Sequence, residues 1–149
     1  MILSQKSQYA VRAVLELAKR EGSGPVKAAK ISTAQAIPIR FLENILGQLR
    51  QAGIIDSVRG KEGGYLLGTP SRELTVGEVL RRVQGPVSAV ECADADAAYR
   101  NTLGPGGILL PLWEKAHQAM MDVYDGTTFK ALIEQELAQR EQEALNYEI

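Results

Sequence analysis

Ile54-Ile55-Asp56-Ser57-Val58-Arg59-Gly60-Lys61-Glu62-Gly63-Gly64-Tyr65 places short apolar runs on either side of a basic, glycine-rich loop. Apolar runs around such a loop read as a β-hairpin, with Ile54-Ile55 and Tyr65-Leu66-Leu67 as strand candidates and Gly68-Thr69-Pro70 ending it. Just upstream, Ile39, Leu42, Ile45, Leu46 and Leu49 recur at three- and four-residue steps, the apolar stripe of a helix. Pro38 suits the first turn of that helix, because its missing N–H is not needed there, and Gly53 is a good stop. Gly47 sits inside it at a cost of about 1 kcal/mol relative to Ala, for which close helix packing is the simple explanation. A shorter helix is expected over residues 28–34, with Ala29 and Ile31 turned inward, and Gln35-Ala36-Ile37 connects the two. Helix, turn, helix and small hairpin make up a winged helix-turn-helix, which inserts one helix into the major groove of DNA.

Working outward, Ser4 can cap a first helix running to about Arg20, which Gly22, Gly24 and Pro25 stop. After the hairpin, Thr75-Val76-Gly77-Glu78 reads as a capping box opening a helix with Val76, Val79, Leu80 and Val83 on its buried face. Residues 87–107 change character, with an extended piece at Val87–Val90, a short helix near Ala97–Arg100 and the glycine cluster Gly104-Pro105-Gly106-Gly107. A long helix is expected from about Leu109 to Asp125, with Leu109, Leu112, Trp113, Ala116, Met120, Val123 and Tyr124 as one apolar stripe. A lone amphipathic helix beyond a small complete domain needs a surface to pack on, and a second copy of itself is the simplest partner. Thr127 can cap a last helix carrying Phe129, Leu132, Ile133 and Leu137, and the acidic tail from Gln139 is expected to fray.

The expected fold class is mainly α with a small β-hairpin: a winged helix-turn-helix over residues 1–83, plus a long C-terminal dimerisation helix. The helix-turn-helix spans about 28–51 and the wing about 54–68, while residues 84–149 hold an effector-type loop, the dimerisation helix and a C-terminal helix. At 149 residues, with 45% apolar and 23% charged content, the chain suits one compact soluble unit. No apolar run is long enough to span a membrane, and no signal peptide is visible. A single cysteine, Cys92, fits a cytoplasmic setting. The net charge of -1 hides an asymmetry, because residues 1–82 carry 13 Lys and Arg against 7 Asp and Glu, and residues 83–149 carry 4 against 11. A basic front half points to a polyanionic partner.

On the polar face of the second helix of the motif, Arg40, Glu43 and Asn44 have the chemistry to read guanine, cytosine and adenine. Arg59 and Lys61 put two cations on the wing, where the glycines allow backbone to approach a phosphate or enter a minor groove, and Glu62 weakens that field. The loop is not a nucleotide-binding P-loop, since no Gly-Lys-Ser/Thr follows four variable residues. The single histidine, His117, has no Ser or Cys at a suggestive spacing, so an enzyme is not expected. Cys92 admits three readings, a partly buried small side chain, a redox-sensing thiol or a metal ligand, and acidic Glu91, Asp94 and Asp96 disfavour its thiolate.

The chain resembles the IscR/NsrR/CymR group of bacterial winged-helix regulators. The resemblance rests on Leu3-Ser4, Tyr9-Ala10-Val11-Arg12-Ala13, Phe41-Leu42-Glu43, Leu49-Arg50-Gln51-Ala52-Gly53-Ile54, Ser57-Val58-Arg59-Gly60 and Gly63-Gly64-Tyr65-Leu66-Leu67. Thr75-Val76-Gly77-Glu78-Val79, Glu91-Cys92, Trp113 and Thr127-Thr128-Phe129 follow in the same order, carrying the match to about residue 137. It implies a homodimer on an imperfect palindrome of double-stranded DNA, with each wing in a minor groove and the long helix crossing to the other subunit. The implied DNA-contacting set is Tyr9, Pro38, Ile39, Arg40, Glu43, Asn44, Arg59, Gly60, Lys61, Gly63, Gly64 and Tyr65.

Many members of that group hold an iron–sulfur cluster on three cysteines, sometimes with a histidine. Here Cys92 matches the first ligand position, while the others fall around Asn101, at Gly107 and near Leu110. None of these three is a usual iron ligand, so no cluster and no other cofactor or metal is expected. Ala36 stands where the group usually has glycine in the turn. The expectation is a cytoplasmic, dimeric transcriptional regulator, a repressor, answering to an unknown small-molecule or protein effector. Two alternatives are a redox or iron sensor using Cys92 with unidentified ligands, and a winged-helix module that docks a protein.

Overall fold

The computed structural model describes residues 3–84 and 107–148. Cys92, the extended piece at Val87–Val90 and the short helix near Ala97–Arg100 lie outside the described residues. The elements are α1 (Gln5–Lys19), α2 (Ala28–Gln35), α3 (Ile39–Gln51), β1 (Ile55–Val58), β2 (Gly64–Leu67), α4 (Val76–Gln84), α5 (Leu110–Asp125) and α6 (Phe129–Tyr147). The Ser4 side chain caps α1 by accepting from the Ser7 amide. β1 and β2 pair antiparallel, Ile55 opposite Leu67 and Val58 opposite Gly64, as a two-stranded wing. Strand β2 is tied, near its loop end, to the α1–α2 connection, where Val26 and Tyr65 exchange backbone hydrogen bonds of 2.8 Å in both directions.

The core fills the space between α1, α2, α3, α4 and the wing. Leu42, Ile45, Leu46 and Leu49 from α3 meet Ala10, Ala13, Val14 and Leu17 from α1, with Ile31, Ile54, Ile55, Val79 and Leu80 around them. Ile31 is buried as expected, but Ala29 faces solvent, because the inward side of the short α2 is formed by Ile31 with Ala28. Ile39 opens the apolar stripe of α3 yet is 41% exposed, since it precedes the first turn that reaches the core. From the far side, Phe129 is fully buried in this same core, and Leu132 and Ile133 pack against it. A backbone bridge holds it there: the Phe129 amide donates to the Leu74 carbonyl at 3.1 Å and the Val76 amide to the Thr127 carbonyl at 2.9 Å.

Three local expectations are corrected. The cap of α6 is Thr128, whose hydroxyl accepts from the Ala131 amide, while Thr127 donates its hydroxyl to the Val123 carbonyl. Of the capping box at Thr75, the half in which Thr75 accepts from the Glu78 amide forms, at 3.2 Å. The C-terminal helix runs on to Tyr147 instead of fraying at Gln139, supported by good helix formers and an Arg140–Glu136 pair spaced one turn apart.

Candidate nucleic-acid interface

The connection between α2 and α3 fixes where the exposed face of α3 points. The Ile37 amide donates to the Ser32 carbonyl at 3.1 Å and the Ala36 amide to the Thr33 carbonyl at 3.5 Å, with Ala36 in the left-handed region (φ 50°, ψ 48°). This is a Schellman ending with alanine where glycine is favoured. The Ser32 hydroxyl donates to the Ile37 carbonyl at 2.6 Å, and the Ile37 side chain is buried.

Helix α1 grips the same turn from behind. The Arg12 guanidinium donates to the Gln35 carbonyl, and the Gln35 amide donates to Glu16 Oε2 at 2.9 Å. Glu16 also accepts from Arg20 Nε at 2.7 Å. Burial raises the Glu16 carboxyl, but the hydrogen bonds from Gln35 and Arg20 and the charges of Arg20 and Lys19 outweigh it and hold it below the ordinary carboxylate range. Sequence reasoning missed this grip. Its trace was the charged series Arg12, Glu16, Arg20 at one-turn steps along α1 and its C-cap.

With the turn held, Pro38, Ile39, Arg40, Glu43 and Asn44 are all exposed on one side of α3, opposite the buried residues. Asn44 is oriented by Gln48, whose Nε2 donates to its Oδ1 at 3.0 Å. Beside this face an open groove runs to the start of α1, lined by Gln5, Lys6, Tyr9, Arg40, Phe41, Asn44, Ile45 and Gln48. Tyr9 is half-buried there, with the Arg12 guanidinium 5.5 Å from its ring centre. Gln48 falls, as periodicity predicts, on the polar face with Arg40, Glu43 and Asn44, whereas Gln5, Lys6 and Phe41 were not foreseen; the signal for Phe41, 63% exposed, is a large apolar residue off the stripe. At the wing tip Arg59, Gly60, Lys61 and Glu62 are exposed. Arg40, Arg59 and Lys61 make no ion pair among the described residues, so their charge is free to meet a phosphate.

Gly63, Gly64 and Tyr65 are placed differently from the expected contact set. Gly63 is buried, and a Cβ there would stand 2.2 Å from the Val58 carbonyl oxygen. At Gly64 (φ 155°) it would stand 2.5 Å from the Val26 carbonyl oxygen, and Tyr65 packs on the core. These three shape the wing, because the close backbone approach is to the chain itself.

On α5, Leu112, Trp113, Ala116 and Val123 form, with Leu109 at its N-cap, an exposed apolar face, Leu112 at 55% and Val123 at 66%. Met120 is half-buried beside it, and Tyr124 turns instead toward the chain's own core with Met121. The helix is anchored to α4 where Arg81 donates to Asp125, against Gly77, whose missing side chain leaves room for that carboxylate.

A groove-sized helix, a basic wing and unpaired cations define a winged helix-turn-helix DNA-binding regulator. The sequence profile of the Rrf2 family, described as iron-dependent transcriptional regulators, matches residues 3–135, and the chain belongs to that family. It is similar to the transcriptional regulator CymR of Bacillus subtilis, at 34% identity over 133 residues covering 89% of each protein. The IscR regulator of Cronobacter sakazakii is 45% identical over 92 residues, covering 62% of this chain and 57% of that protein. Among solved structures, CymR of B. subtilis superposes with a TM-score of 0.72 at 33% identity, covering 89% of this chain and 95% of that one. IscR of T. potens superposes with a TM-score of 0.73 at 27% identity, covering 91% and 88%. The chain is thus a DNA-binding transcriptional regulator, in a family of regulators and not of enzymes. No helix among the described residues is long and apolar enough to cross a membrane.

Proposed function

We propose that the chain acts as a homodimeric repressor on a pseudo-palindromic operator. In this reading Arg40, Glu43 and Asn44 meet base edges, Tyr9, Pro38 and Ile39 line the approach, and Arg59, Gly60 and Lys61 engage phosphates and the adjacent minor groove. The observation that carries it is a set of exposed cations, Arg40 on α3 and Arg59 and Lys61 on the wing, that have no acidic partner among the described residues. The exposed apolar face of α5 supports dimerisation, since a second copy would cover Leu109, Leu112, Trp113, Ala116 and Val123. Such a protein works beside the chromosome, which places it in the cytoplasm, and an unidentified small molecule or protein is its effector.

The iron dependence in the family's description does not fit this chain's donors. There is one thiol in the sequence, Cys92, and Leu110, near the position matching the group's histidine, is an apolar residue of α5. Among the described residues no three His, Cys, Asp or Glu side chains converge as metal ligands. A thiolate-held cluster needs more sulfur than this, and we take the regulator to work without one.

The test is a titration of wild type and Arg59→Ala on the palindromic duplex recovered by selection from genomic fragments, at several salt concentrations. Losing one phosphate contact in each subunit, two per dimer, should weaken binding at least several-fold and lower the slope of log affinity against log salt by about two units. Unchanged affinity and slope would refute the wing assignment.

A further inference from the structure

Gly47 is the one glycine inside α3. A helix-interior glycine costs about 1 kcal/mol relative to alanine, so something should require it. Nothing among the described residues does. A Cβ built at Gly47 meets none of their atoms within 4 Å, which removes close packing against them as its explanation, and its φ is not positive. Its place on the helix is informative. Leu42, Ile45, Leu46 and Leu49 define the buried side of α3, and Gly47 follows Arg40 by seven residues, Glu43 by four and Asn44 by three. At 100° per residue those four positions share the side turned away from the core.

We propose that Gly47 is a positioning residue for DNA, a notch on the recognition face that lets the wall of the groove come close to the backbone of α3. Arg40, Glu43 and Asn44 reach base edges only if the helix axis lies deep enough in the groove, and a side chain at position 47 holds the axis off. The missing side chain thus serves the bound state and costs stability in the free one. This proposal rests on the operator-binding reading above.

The test pairs two measurements on Gly47→Ala and Gly47→Leu in the full chain: thermal melting, and titration of the selected palindromic duplex beside an unrelated duplex of equal length. Both variants should melt above wild type, by roughly 2–4 °C. Affinity for the palindrome should fall with side-chain size, to about a hundredfold weaker for Gly47→Leu, the loss expected when one bidentate base contact is misaligned in each of the two half-sites. Binding to the unrelated duplex, held by phosphate contacts, should change far less. Palindrome affinity within twofold of wild type for Gly47→Leu overturns the proposal. A lower melting temperature for Gly47→Ala overturns it too, since that would mean the space is not open. A wild-type protein that selects no palindrome sinks the operator reading itself, whatever the variants do.

Discussion

Replacing Ala36 by glycine should stabilise this protein. Ala36 is the only non-glycine residue with positive φ among the described residues, at φ 50° and ψ 48°, and it ends α2 in the turn that aims α3. Holding an L-residue in the left-handed region costs about 1–2 kcal/mol, because Cβ crowds the following carbonyl oxygen. Glycine removes that crowding, but it adds about 0.4–1 kcal/mol of unfolded-state freedom to be lost on folding. The net gain is therefore about 0.5–1 kcal/mol. For a chain of 149 residues this raises the melting temperature by roughly 1–4 °C. The Schellman hydrogen bonds use only backbone atoms and survive the change, and Ala36 is exposed, so no packing is lost. Melting of the purified variant by circular dichroism at constant pH and protein concentration reads the shift. An unchanged or lower melting temperature would show that the turn is not strained, and the reasoning would fail. An Ala36→Val variant should move the other way, since a branched side chain fits this region worse.

Two further outcomes follow from the same geometry. Leu112→Glu, which places a charge in the middle of the exposed face of α5, should shift the protein from dimer to monomer in sedimentation and weaken palindrome binding; a dimer of wild-type strength would refute the assignment of that face. Glu16, with its carboxyl held low by Gln35 and Arg20 against the opposing effect of burial, should steepen the acid limb of the stability curve. A depressed folded-state value means that its stabilisation is present above the unfolded value of about 4.3 and is lost as pH falls through the lower folded one. Urea midpoints from pH 6 to pH 3 should therefore fall less steeply for Glu16→Gln than for wild type, and parallel limbs would refute the role.

The helices and the hairpin were legible because their signals are local. The spacing of Leu42, Ile45, Leu46 and Leu49, Pro38 at the start of α3 and the glycines around the wing each act within a few residues. What escaped depends on distant contacts. Gly64 read as part of a DNA-facing loop, yet its close neighbour is Val26, in the α1–α2 connection, a tertiary approach with no signature in the local sequence. Tyr124 fell at the margin of the α5 stripe, and packing on the chain's own core decided its side. Gly47 invited a packing explanation that only the empty space around it could remove. Of the site, the outward placement of Arg40, Glu43 and Asn44 was readable from periodicity, whereas the grip of Arg12 and Glu16 on Gln35 spans 19 to 23 residues and was not.

The burial of Phe129 bears on how the protein is made. Its ring fills a core otherwise built from residues 10–80. A nascent chain can form α1 to α4 and the wing early, but it still carries an apolar hole, and an unpaired edge at Leu74–Val76, until residues 127–129 leave the ribosome. Domains fold as they emerge, and exposed apolar surface in the interval favours misassembly. The hand that reads DNA is therefore completed by the segment that follows α5, so a chain broken off during synthesis would carry an incomplete reading head and have little chance to bind DNA on its own.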